Sequence, residues 1–117
     1  MKIALTKKLA DGMGIDPPSE AGENPIFTWT ANWTSVWENR KAEDMLVLVN
    51  SATRFTVAIY QVKKKDLKHV GEIMTTAIRN ALLSMNYNPE MIEDYLRMAG
   101  DVEFTRNRDR HAAAWVS

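Results

Sequence analysis

From Phe27 to Glu38 the sequence reads FTWTANWTSVWE, and its alternation leaves little choice of backbone. Trp29, Trp33 and Trp37 stand four residues apart, a spacing that aligns them on one side of a helix or of a strand alike. The residues between them decide. Phe27, Trp29, Ala31, Trp33, Ser35 and Trp37 alternate with Thr28, Thr30, Asn32, Thr34, Val36 and Glu38; five of the first six are apolar and five of the second six polar or charged. A period of two, rich in aromatic and threonine side chains, is that of a strand with one buried face. The tryptophans are expected to lie beneath the Leu67–Met85 helix described below. The alternative is an exposed aromatic platform on which a ligand stacks.

The rest of the chain supplies partners for this strand. KIAL (Lys2–Leu5) reads as a short first strand, followed by one or two helical turns with Thr6 as N-cap and Gly12 or Gly14 as the stop. Residues 15–26 carry three of the four prolines and are expected to form the most mobile loop. After the tryptophan strand, Asn39–Asp44 has the polarity and length of a hairpin connection. Met45–Asn50 (MLVLVN) is apolar on both faces, as an interior strand is. A turn at Ser51–Ala52 leads into a strand over Thr53–Tyr60, completing an antiparallel meander.

Helical spacing then takes over. Asp66 is the expected N-cap of a helix whose stripe runs Leu67, Val70, Met74, Ala77, Ile78, Ala81, Leu82, Met85. A second helix has Asn88 as N-cap, Pro89 at its first position and Gly100 as its stop, with Ile92, Tyr95, Leu96 and Ala99 inward. Asp101–Arg106 reads as a late strand able to pair with KIAL, and residues from Asn107 as a short terminal helix. Strands, then helices, then a strand predict an α+β fold: a single domain over residues 1–117, with an antiparallel sheet of about five strands and two main helices on one face.

Composition bounds the function. With 15 basic and 15 acidic side chains the formal net charge is zero, so attraction to nucleic acid or an anionic membrane requires a local patch. The absence of cysteine removes disulfides and thiolate chemistry and fits a cytoplasmic protein. No apolar run approaches the roughly 20 residues that span a bilayer, so no membrane association is expected. His69 and His111 are the two histidines and stand in no zinc-binding pattern; neither a metal nor a cofactor is expected, and no residue is assigned a catalytic role.

Two basic clusters remain, Lys63–Lys68 and the run Arg106, Arg108, Arg110, His111, which together would form an anion- or nucleic-acid-binding patch. By themselves they are solvated surface. A toxin-like RNase built on Arg110 and His111 is a more distant reading.

Three segments resemble a small family of uncharacterised bacterial and phage-borne domains, catalogued as a domain of unknown function: KIALTKKLA, then WTANW…NRKAEDMLVLVNSATRFTV, then VEFTRNRDRHAAAW. Members open with a strand and TKKL, carry a WHAN-like segment and an N-x-A/Q-T-R-F/Y strand end, and close on FTKTxNR. The pattern falls here on Trp29, Ala31 and Asn32, on Asn50, Thr53, Arg54 and Phe55, and on Phe104, Thr105, Asn107 and Arg110. Thr30 stands where a histidine is common, which weakens a catalytic role, and Arg106 replaces a lysine. The resemblance implies no reaction. It draws Asn32, Asn50, Thr53, Arg54 and Arg110 into a shortlist: either turn chemistry, or a polar site at one edge of the sheet. The function expected is a small non-enzymatic binding or regulatory module acting through a protein partner or its own dimer, with nucleic-acid binding as the alternative.

Overall fold

In the computed structural model, backbone is described for residues 1–20, 24–38 and 41–107, and side chains for the same residues except 35–38 and 41–43. The elements are β1 (Lys2–Leu5), α1 (Lys7–Met13), a 3-10 turn (Pro25–Phe27), β2 (Thr28–Glu38), β3 (Lys41–Asn50), β4 (Thr56–Tyr60), a second 3-10 segment (Lys64–His69), α2 (Val70–Ser84), α3 (Pro89–Ala99) and β5 (Glu103–Arg106). They form one five-stranded sheet in the order β4-β3-β2-β1-β5. The α+β class stands.

The sheet is mixed, however, where the sequence reading expects it antiparallel. β2, β3 and β4 do form the antiparallel meander, but β1 runs parallel to both of its neighbours, pairing Ile3 with Trp29 on one side and with Phe104 on the other. The reason is the length of the connections. Residues 6–27 give the chain enough length to cross the sheet and re-enter beside β1 in the same direction, and α2 and α3 do the same before β5.

Three boundaries also move. Lys41–Asp44 belong to β3, paired with Glu38–Ser35, rather than to the connection. β4 starts at Thr56, because Arg54 takes a left-handed backbone (φ 65°) that interrupts the strand expected from Thr53. Asp66 is not the N-cap of α2; it lies inside a 3-10 segment, where its carboxylate accepts from Lys63 N–H at 2.9 Å, and α2 starts at Val70. Met85, at the end of the expected stripe, is 59% exposed. α3 follows its signals closely: Asn88 Oδ1 accepts from Glu90 N–H at 2.8 Å, and Gly100 ends it at φ 74°. The terminal helix expected from Asn107 lies outside the described residues.

One face of the sheet holds the core. Ile3, Leu5, Trp29, Ala31, Leu46 and Leu48 pack there with Leu9 and Ala10 of α1, Leu67, Val70, Met74 and Ile78, and Ala99 of α3. Period two on the strands meets period 3.6 on the helices, so burial selects one side of each. The opposite face carries a smaller buried set of Val47 and Val49, with Thr30, Asn32 and Thr105. Residues 16–20 are tied to β1 and β5: Pro18 O accepts from Arg106 N–H at 2.9 Å, Asp16 pairs with the Arg106 guanidinium, and Glu20 with Lys2 at 3.1 Å.

The tryptophan strand is a strand, and the helix expected above it supplies only part of its cover. Trp29 is 2% exposed; its indole N–H donates to the Tyr95 hydroxyl of α3 at 3.1 Å, and its ring meets Phe55 edge-on. Trp33 packs against α1 and the second 3-10 segment, where Gly12 and Leu67 meet at its ring, and its N–H donates to Val62 O at 2.9 Å. Lys8 lies over that ring, 5.9 Å from its centroid. The side chain of Trp37 lies outside the described residues.

Candidate functional site

A cavity of about 400 Å³ opens where β2 begins, β3 ends and α3 lies across them. Three local choices build it. The first is the turn from β3 to β4. Asn50 is 2% exposed, and its Oδ1 accepts from the backbone N–H groups of Ala52 (3.0 Å) and Thr53 (3.1 Å), the side-chain pattern that lets asparagine organise a turn. Arg54 N–H closes the turn onto Asn50 O at 3.0 Å, and Asn50 N–H donates to Phe55 O at 2.9 Å.

The second is the entry to β2. Asn24 Oδ1 accepts from Ile26 N–H at 3.1 Å and caps the short 3-10 turn, which brings Ile26 O inward. That carbonyl accepts twice, from Asn50 Nδ2 at 2.9 Å and from the Tyr95 hydroxyl at 2.7 Å. The third is α3, which places Met91, Ile92 and Tyr95 toward the opening; Leu82 of α2 and Tyr87 of the connection complete the wall. Trp29, Tyr95, Ile26 and Asn50 thus form one hydrogen-bonded chain behind an apolar lining, and no buried side-chain polar atom among the described residues lacks a partner. Burial pushes the Tyr95 hydroxyl above the ordinary phenol range, with the bond from Trp29 opposing it.

The shortlisted residues separate. Asn50, Thr53 and Arg54 come together at this cavity. Asn32 does not: it is buried on the opposite face of the sheet, where its Oδ1 accepts from the Thr6 hydroxyl at 2.8 Å. Thr6, in the N-cap position of α1, makes no side-chain cap bond. Arg106 pairs with Asp16 at the β5 edge; Arg108, Arg110 and His111 lie outside the described residues. In the other basic cluster, Lys64, Lys65 and Lys68 line a second concavity of about 390 Å³ with Gly12, Met13 and Leu67.

Sequence reasoning treats Trp29 as architecture and passes over Tyr87 and Met91, yet all three line the first cavity. The available signal is Met91 beside Ile92 at the start of α3, an apolar residue lying off the inward stripe of that helix. Among the described residues no three His, Asp or Glu side chains gather as metal ligands, and no helix is long and apolar enough to cross a membrane.

A family model described as Domain of unknown function (DUF6933) matches residues 2–116. The chain belongs to this family. No curated protein and no solved structure matches it. The DUF6933 match takes in both faces of the sheet and the whole of the Asn50–Tyr95 site, and its description carries no activity, so the chemistry of that site rests on its geometry.

Proposed function

We propose that this DUF6933 domain is a small non-enzymatic binding module that engages a protein partner, or a second copy of itself, at the mouth of the Asn50–Tyr95 cavity. One observation carries the reading. Of the seven large apolar side chains exposed among the described residues, five lie between Leu83 and Met98, and two of these, Tyr87 and Met91, line the cavity. Exposed methionine and tyrosine around an apolar recess suit a protein contact, where methionine adapts its shape and tyrosine adds area with a polar tip. Thr53 and Arg54, both exposed, supply the polar rim of the same site, with Asn50 buried behind them. The cysteine-free composition supports a cytoplasmic setting.

The test is sedimentation of the full chain alongside selection of binding peptides from a displayed library, each repeated with Met91→Glu. Met91 is 62% exposed, so the variant keeps its fold. Self-association, or selected peptides, weakened about tenfold or more by the substitution is the expected result, as for a contact residue at an interface centre. Equal behaviour of both proteins in both assays overturns the reading.

A second reading has its own support. Lys64, Lys65 and Lys68 converge on one concavity whose described lining holds no acidic side chain, a local patch of the kind that neutral net charge demands. Absence of nucleic-acid binding in a gel shift at low salt removes it.

A further inference from the structure

We propose that the cavity takes the C-terminal residue of a partner chain, its bulky apolar side chain inside and its terminal carboxylate at Arg54. This rests on the reading of the site as a protein-binding one and names what enters it. A volume of about 400 Å³ lies at the low end of the roughly 300–1,000 Å³ of ligand sites, room for one large residue and its own end group rather than a run of peptide. Trp29, Phe55 and Ile92 make the interior apolar.

The polar groups divide by what they are already doing. Asn50 holds Ala52, Thr53 and Ile26, and the Thr53 hydroxyl accepts from Phe55 N–H at 3.2 Å, so both are committed to the turn. Arg54 is the one charged side chain among the described residues of the lining. Its guanidinium carries five N–H donors, enough to keep the interaction it has and to take a carboxylate as well. An apolar recess with a single cation at its rim is complementary to a chain end of matching chemistry.

The backbone adds an independent argument. Arg54 sits at φ 65°, a conformation that glycine or asparagine holds at lower cost, as Asn86 does at the same φ. A long cationic side chain at such a position conflicts with local preference, and such conflicts concentrate at functional sites.

The experiment titrates the ¹⁵N-labelled full chain with three probes: N-acetyl-L-tryptophan, its primary amide, and N-acetyl-L-tryptophanyl-L-glutamic acid α-amide, whose side-chain acid is free and whose chain end is blocked. The Trp29 indole N–H and Asn50 carboxamide signals report on the cavity. The first probe is expected to bind about two- to fivefold more tightly than the amide at low salt, the range of an exposed ion pair. That preference is expected to vanish in R54Q and R54G, with the melting temperature of R54G at or above wild type. Equal affinity for acid and amide overturns the chain-end proposal and leaves the binding site standing. A glutamyl probe as tight as the first also overturns it, in favour of an internal acidic residue. A preference that survives in R54G overturns the assignment to Arg54. Failure of all three probes to move the two signals overturns the proposal together with the reading beneath it.

Discussion

At the scale of single residues, the cavity is held by side chains that serve structure first. Burying an indole the size of that of Trp29 contributes about 4–6 kcal/mol at most, from roughly 150–250 Å² at about 25 cal/mol per Å². Its hydrogen bond to Tyr95 adds about 1 kcal/mol. The hydroxyl of Tyr95 both accepts from Trp29 and donates to Ile26 O, and only the neutral phenol does both. Burial raises its pKa in the folded state, so its contribution is fully present below the unfolded phenol value of about 10 and is lost as pH rises through the folded value. Absorbance titration of the wild type minus Tyr95→Phe, followed at the tyrosinate band, isolates this group. A midpoint above 10 is expected, with unfolding free energy falling over the same window; a midpoint at or below 10 contradicts the burial account. Little of this was legible in the sequence. Asn50, Thr53 and Arg54 could be shortlisted as polar residues near a turn, but the carbonyl that joins Asn50 to Tyr95 belongs to Ile26, a residue with no signal of its own.

At the scale of elements, α1 shows how sequence preference and packing compete. Gly12 lies inside a seven-residue helix, where alanine is favoured by roughly 1 kcal/mol on propensity alone. A Cβ at that position, however, meets the Trp33 ring at 3.0 Å and Leu67 at 3.1 Å. Leu67 yields easily through its flexible end. Trp33 does not, since its ring is rigid and its N–H is bonded to Val62 O. Overpacking costs about 1–3 kcal/mol, so after the roughly 1 kcal/mol of propensity is set against it Gly12→Ala is expected to lower stability by up to about 2 kcal/mol in urea unfolding. A stabilised variant points instead to an α1 free to shift away from the sheet. Element types were readable because alternation, helical stripes and the Asn88-Pro89…Gly100 punctuation are local. The start of β4 and the start of α2 were misread for a local reason too. Propensity does not anticipate an arginine at positive φ or a 3-10 segment before a helix.

At the scale of the molecule, strand order is what gives the site its place. The antiparallel register of β2 and β3 sets Trp29 opposite Asn50, and with β1 between β2 and β5, α3 reaches across that end on its way to β5. The same order makes a measurable prediction. Strands β1 and β2 are paired on both sides, whereas among the described residues β4 has a partner on one side only, so native-state hydrogen exchange is expected to be slowest in β1 to β3 and markedly faster at alternate amides of β4. Exchange from β1 as fast as from β4 contradicts this topology. What the sequence by itself determined is local: which segments are strands, which are helices, and which side of each is apolar, all set by periodicity and end signals within a few residues. It also carried the resemblance to a family of unknown function, and the family match over residues 2–116 agrees with it. The tertiary structure alone decided that β1 runs parallel to its neighbours. It also decided that Trp29 lies under α3, and that Asn50, Thr53 and Arg54 share a cavity with Tyr95 while Asn32 faces the other way. Those outcomes depend on how residues 6–27 and the two long helices return the chain to the sheet. Pairings across such distances are chosen by burial summed over the whole core, which no short window of residues contains.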